Sequence, residues 1–135
     1  MKVRLAWSLT LAACGALAAT AGPAQGQPWP ARPVRILVGF AAGGTSDIVA
    51  RAFAAPLSEL LGQQVVIENR PGAGGAIAVE LVSRAPPDGY ALALGSAGTF
   101  SINPHLYPKL GYDPWRDFVP IAAFATASYV LDVHP

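Results

Sequence analysis

The sequence predicts an α/β fold with a mainly parallel sheet and helices on both faces. Three observations carry this prediction. Short β-branched apolar runs alternate with stretches of helical periodicity, the connections between them are short, and each of the first three runs leaves through a loop of small residues that leads into a helix.

Taken in order, Gln27 to Pro33 is a proline-rich lead-in suited to extended backbone. Val34 to Phe40 (VRILVGF) reads as a buried strand, followed by the loop Ala41-Ala42-Gly43-Gly44. From Thr45 to Leu61, Val49, Phe53, Leu57, Leu60 and Leu61 recur at helical spacing, and Gly62 supplies a stop. Pro56 within that stretch predicts a kink or an earlier end, because a mid-helix proline removes a hydrogen bond and costs about 3 kcal/mol.

The alternation repeats. Val65 to Glu68 is a second strand, Asn69 to Gly75 a glycine loop, and Ala76 to Ala85 a second helix with Ile77 and Leu81 on one face. Pro86-Pro87 ends that helix and Asp88-Gly89 marks a turn. Tyr90 to Leu94 is a third strand, followed by Gly95-Ser96-Ala97-Gly98-Thr99 and a short helix. Asn103-Pro104 and Tyr112-Asp113-Pro114 predict an irregular stretch. Phe118 to Phe124 and Tyr129 to Val133 are candidate strands near the end. No internal repeat or low-complexity segment stands out. The chain stops at Val133-His134-Pro135 directly after an apolar run, which predicts a fragment.

The N-terminus reads as an export signal over residues 1–26. Lys2 and Arg4 precede an uncharged apolar or small stretch from Leu5 to Ala21, and Ala24-Gln25-Gly26 places small residues at −3 and −1 of a cleavage point before Gln27. The uncharged run approaches the roughly 17 residues of the shortest membrane spans, but its Ala, Gly and Thr content favours cleavage. Leu11-Ala12-Ala13-Cys14 also matches a lipoprotein cleavage pattern. The very short apolar segment ahead of it argues against a lipid anchor at Cys14. As Cys14 is the only cysteine, the exported part has no disulfide.

Composition excludes several classes of function. A chain 53% hydrophobic and 13% charged is expected to pack a core rather than remain disordered. The net charge of +1 loses Lys2 and Arg4 with the leader, leaving seven basic and eight acidic residues, about −1. No nucleic-acid partner is expected.

In a parallel sheet all strand C-termini lie along one edge, and ligands of open α/β folds bind just outside it. The first loop offers Gly43, Gly44, Thr45 and Ser46 there, the second Gly72, Gly74 and Gly75, and the third Ser96, Gly98 and Thr99. Glycine allows close backbone approach, and helix N-termini present unpaired N–H groups at a positive dipole end. The combination favours an anion. Any one such loop is an ordinary turn, with Thr45 or Ser46 capping a helix; three on one edge favour a ligand site. Arg70 is the one basic residue in these loops. Asp47, in a helical first turn, suits a structural role with the dipole. Phe40 and Phe100 suit pocket walls or core, while Asn69 and Asn103 can meet a ligand or organise their own turns.

Enzyme signatures mostly fail. Gly72-Ala73-Gly74-Gly75-Ala76-Ile77 resembles a dinucleotide fingerprint but has Ile77 at its last glycine, and no lysine follows a phosphate-loop pattern. Leu94-Gly95-Ser96-Ala97-Gly98 misses a nucleophile elbow at Leu94. His105 and His134 are isolated, so neither a metal site nor a cofactor is expected. The reading is binding without catalysis. The alternatives are a hydrolase-like or nucleotide-dependent enzyme fragment using Ser96 or the Gly72 loop, and an inactive remnant.

Pro33 to Asp47 (PVRILVGFAAGGTSD) resembles the opening of the Bug-type receptors of tripartite tricarboxylate transporters. So do Val66 to Gly75 (VIENRPGAGG), Asp88-Gly89-Tyr90, Ser96 to Pro104, and Tyr112-Asp113-Pro114 with Asp117-Phe118, all in register. The resemblance implies a two-domain Venus-flytrap receptor in the periplasm that captures small carboxylates and hands them to an integral membrane permease. It further implies that the first and third loops hold a ligand carboxylate like pincers, aided by ordered water. The expected ligand-binding set is Phe40, Gly43, Gly44, Thr45, Ser46, Asp47, Asn69, Gly74, Gly75, Ser96, Thr99 and Asn103. Two departures stand out: Ala42 replaces a usual proline, which should loosen the first loop, and Phe100 replaces a frequent histidine, which removes a polar group near the pocket. Family chains are roughly two to three times longer than this domain-sized one. Residues 27–135 are therefore expected to be the N-terminal portion of the first domain, without the second.

Overall fold

A computed structural model describes residues 28–123 and 125–126. The leader, Cys14, His134 and the expected strand Tyr129 to Val133 lie outside the described residues. Within them the order is β1 (Val34–Val38), α1 (Thr45–Leu61), β2 (Val65–Asn69), a 3₁₀ turn (Ala73–Gly75), α2 (Ala76–Ser83), β3 (Ala91–Leu94), a π-type turn (Gly98–Ile102) and α3 (Asn103–Leu106). The strands form one parallel sheet in the order β2-β1-β3.

Both crossovers serve β1. The chain leaves β1 towards β2 through α1, then passes back across β1 to β3 through α2. Right-handed crossovers running in opposite directions place the two helices on opposite faces. Burial of β1 agrees, since Val34, Leu37 and Val38 are all buried and consecutive strand residues point to opposite faces. Val34, Val38 and Val79 are among the largest fully buried side chains; each contributes about 1.5–3 kcal/mol by leaving water. A second apolar centre gathers Ala76, Val79 and Tyr112, with Phe100, Leu110 and Phe118 against it.

Two expectations need correcting, and a third gains a direction. Helix α1 is not shortened at Pro56; it runs on to Leu61 and ends at Gly62 in the left-handed conformation (φ 64°, ψ 16°). Ser58 helps hold this second half in place: its hydroxyl donates to the Ala54 carbonyl at 2.6 Å and accepts from the Val65 amide at 2.9 Å, tying the helix to β2. The α2 face bearing Ile77 and Leu81 is the exposed one, because the small Ala76 and Ala78, with Val79, take the close approach to the sheet. Residues 118–123 form no strand. Phe118 is drawn edge-on into Phe100 and Tyr112, at centroid distances of 5.2 and 6.0 Å, Pro120 has no N–H to donate, and Val119 and Ile121 face solvent.

Candidate ligand-binding site

Register fixes where the site lies. Val38, the last residue of β1, is level with Asn69 at the end of β2 and with Leu94 at the end of β3. The three following loops therefore emerge side by side. Strand order reverses about β1, so the crevice between the β1 and β3 loops is the switch point where open α/β sheets receive ligands.

The loops meet at close range. A Cβ on Gly39 would come within 2.6 Å of Gly75 Cα, so these backbones touch. A Cβ on Gly75 would approach Thr99 Cγ2 at 2.8 Å and Phe40 Cζ at 3.4 Å. Gly75 itself has φ 89°, a conformation that favours glycine. It is buried, its amide donates to the Gly72 carbonyl at 2.9 Å, and it serves as the packing point of the three loops. Gly74 is exposed beside Asn103.

In the first loop, Gly44 is the N-cap of α1 and no side chain caps the helix. The capping role available to Thr45 or Ser46 is thus not taken up, and among the described residues neither hydroxyl has a hydrogen-bond partner. Thr45 is exposed and Ser46 half-buried. The helical ladder opens with the Ile48 amide donating to Gly44 at 3.0 Å, which leaves the N–H groups of Thr45, Ser46 and Asp47 ahead of it. These amides and the positive end of the helix dipole lie at the sheet's C-terminal edge, where the β1 loop enters α1. Phe40, with its ring against Gly75, stands partly exposed beside them.

Asp47 and Asn69 hold this loop from below. Asp47 is only 3% exposed; it accepts from the Gly43 amide at 2.8 Å, from Arg51 Nε at 2.9 and 3.0 Å, and from Asn69 Nδ2 at 3.0 Å. The Arg51 bond, followed by the Gly43 amide, holds the Asp47 carboxyl well below the usual carboxylate range. Asn69 Nδ2 also donates to the Phe40 carbonyl at 3.1 Å, and its Oδ1 accepts from Arg51 Nη2 at 3.2 Å. The side-chain polar atoms of both residues are engaged within the chain.

The third loop is organised the same way. Thr99 is 1% exposed, and its Oγ1 accepts from the Ser96 amide at 2.8 Å and donates to the Ser96 carbonyl at 3.0 Å. The Ser96 hydroxyl accepts from the Thr99 amide at 3.3 Å. Tyr112 donates its hydroxyl to the Thr99 carbonyl, and burial pushes that phenol's pKa up. Asn103, 4% exposed, donates to the Gly74 carbonyl at 3.2 Å and so joins the third loop to the second. Phe100 lies in the aromatic centre, against Gly95. Arg70 pairs with Glu68 at 3.2 Å.

Two residues absent from the expected set matter here. Arg51 was legible as the i+4 partner of Asp47, a spacing that brings opposite charges together on a helix. Tyr112 stood out only within the Tyr112-Asp113-Pro114 motif of the resemblance, with nothing to point it at the Thr99 carbonyl.

An open parallel sheet whose loops converge at the order reversal is the architecture of a solute-binding domain. It is similar to the periplasmic binding protein BugD (TM-score 0.66, 50% identity, over 69% of this chain and 31% of that one). It is also similar to MatC from Rhodopseudomonas palustris, solved with bound malate (TM-score 0.66, 46% identity, over 68% and 31%). By sequence it is 43% identical over 122 residues to a UPF0065 protein of Bordetella pertussis, spanning 89% of this chain and 37% of that protein. Residues 49–135 match the pattern of the tripartite tricarboxylate transporter family receptor. The chain belongs to that receptor family, and it spans between 31% and 37% of the length of these three relatives.

Proposed function

We infer that this chain is the portion of an exported receptor that takes one carboxylate group of a small organic acid, binds it without catalysis, and delivers it to the membrane subunits of a tripartite transporter. The observation that carries the reading is the first loop at the switch point: the Thr45, Ser46 and Asp47 amides sit at the N-terminus of a 17-residue helix, with the Thr45 and Ser46 hydroxyls unpartnered among the described residues. A carboxylate accepts from such donors without a cationic side chain. The relative solved with malate supports the ligand class.

On this reading the expected residues divide by task. Gly43, Gly44, Thr45, Ser46, Phe40 and Gly74 line the crevice, whereas Asp47, Asn69, Gly75, Thr99, Asn103 and the Ser96 hydroxyl shape it. Residues 1–26 serve as the export leader and 27–135 as the N-terminal part of the first domain.

Thermal shift against malate, succinate, citrate and a nucleotide tests the reading, because a ligand that binds the folded state raises the melting temperature. A rise with a carboxylate and none with the nucleotide is expected. A rise with the nucleotide alone would overturn the assignment.

A further inference from the structure

The first loop is held by a charge pair that lies behind it. The bonds that fix it converge on Asp47 and Asn69: Gly43 N–H to Asp47, Asn69 to the Phe40 carbonyl, Asn69 to Asp47, and Arg51 to each of the two side chains. The Arg51 side chain is 55% exposed, against 4% for the Asp47 side chain it pairs with.

The arrangement contains an electrostatic conflict. A buried carboxylate in the first turn of a helix is attracted to the same positive end that an incoming anion would use. Left alone, the Asp47 charge would both occupy that field and repel a second carboxylate a few ångströms away. Arg51 cancels it: one −1 and one +1 leave the loop's backing neutral, so the free amides of Thr45, Ser46 and Asp47 are the net feature an anion meets. The geometry adds a second role. Arg51 bonds Asp47, at the helix start, and Asn69, at the end of β2, and these two in turn hold Gly43 and Phe40, either side of the loop's exposed tip.

We propose that Arg51, acting through Asp47 and Asn69, is a positioning and charge-setting residue for the first loop: it tunes anion affinity without touching the anion. The affinity part rests on the carboxylate reading above; the positioning part does not.

The test uses the purified chain as wild type, Arg51→Met, and the double variant Asp47→Asn/Arg51→Met. Malate, succinate and citrate are titrated by calorimetry, and exchange of the Gly43 amide is followed by NMR without ligand. Arg51→Met is expected to weaken the best-bound acid about tenfold, an order of magnitude set by one uncompensated charge near a partly exposed site, and to speed Gly43 exchange. The double variant, which has lost the arginine but carries no stray charge, is expected to bind at least about threefold more tightly than Arg51→Met. A double variant that binds as weakly as Arg51→Met overturns the charge-setting role, since a purely structural loss would not be rescued by removing the carboxylate's charge. If the wild type binds none of the three acids, the carboxylate reading fails, and exchange alone then decides: faster Gly43 exchange in Arg51→Met supports the positioning role, and unchanged exchange overturns it.

Discussion

The side-chain amide of Asn103 donates to the main-chain carbonyl of Gly74 at 3.2 Å, across 29 residues of sequence. Asn103 opens α3 and Gly74 lies in the loop before α2, so this single bond joins the second and third loops beneath the crevice.

Asn103→Ala should therefore act on both stability and binding. Losing the bond costs about 0.5–1.5 kcal/mol, the usual net contribution of one intramolecular hydrogen bond. Urea unfolding checks the first effect, and a weaker carboxylate titration checks the second. A variant as stable as wild type would show that the bond is dispensable.

The glycines offer a sharper contrast. Gly39→Ala forces a methyl against the Gly75 backbone at 2.6 Å, where no side chain can move aside, and should destabilise by about 2 kcal/mol or more. Gly43→Ala meets nothing within 4 Å and bears only its φ of 81°, at about 1 kcal/mol. Melting temperatures of the two variants should fall in that order.

Acidification should weaken the first loop, and the sign follows from Asp47. Its carboxyl is held below the range it has in the unfolded chain, so on lowering the pH the unfolded state takes up a proton first. The associated stability is fully present above about pH 4 and is lost as pH falls towards the folded value. Asp117, held down first by its bond to Arg116, contributes in the same direction. Asp47→Asn should narrow the gap to wild type as the pH drops, measured by melting temperature across an acid series. A gap that widens on acidification would contradict the sign.

Phe118→Ala should cost about 1–3 kcal/mol by opening the aromatic centre it shares with Phe100 and Tyr112. Val119→Ser and Ile121→Ser, on residues that face solvent, should stay within about 0.5 kcal/mol. Equal losses at all three positions would mean that the segment packs as a strand after all.

Much of this arrangement was legible in the residues themselves. β1, β2 and β3 follow from short β-branched runs, and α1 from its periodicity and Gly62. The crevice follows from three small-residue loops on one edge. What stayed hidden depended on partners distant in sequence. Nothing local distinguishes a Thr99 hydroxyl aimed at a ligand from one folded back on Ser96, or shows that Gly75 is wedged under Thr99. The run from Phe118 has strand composition, but a strand also needs a neighbour, and there the aromatic rings of Phe100 and Tyr112 take Phe118 instead. Proline in α1 was weighed by its local cost alone, while the Ser58 link to β2 is tertiary.

The placement of β1 at the centre of the sheet has a consequence in time. As the chain emerges N-terminus first, this apolar strand appears before either of its neighbours. It gains one edge only when Asn69 is out and the other only when Leu94 follows. Until then its sides are open to any other extended peptide, including a second nascent copy. The interval between those two residues is the period of greatest exposure to mispairing, and the crevice takes shape only after it closes.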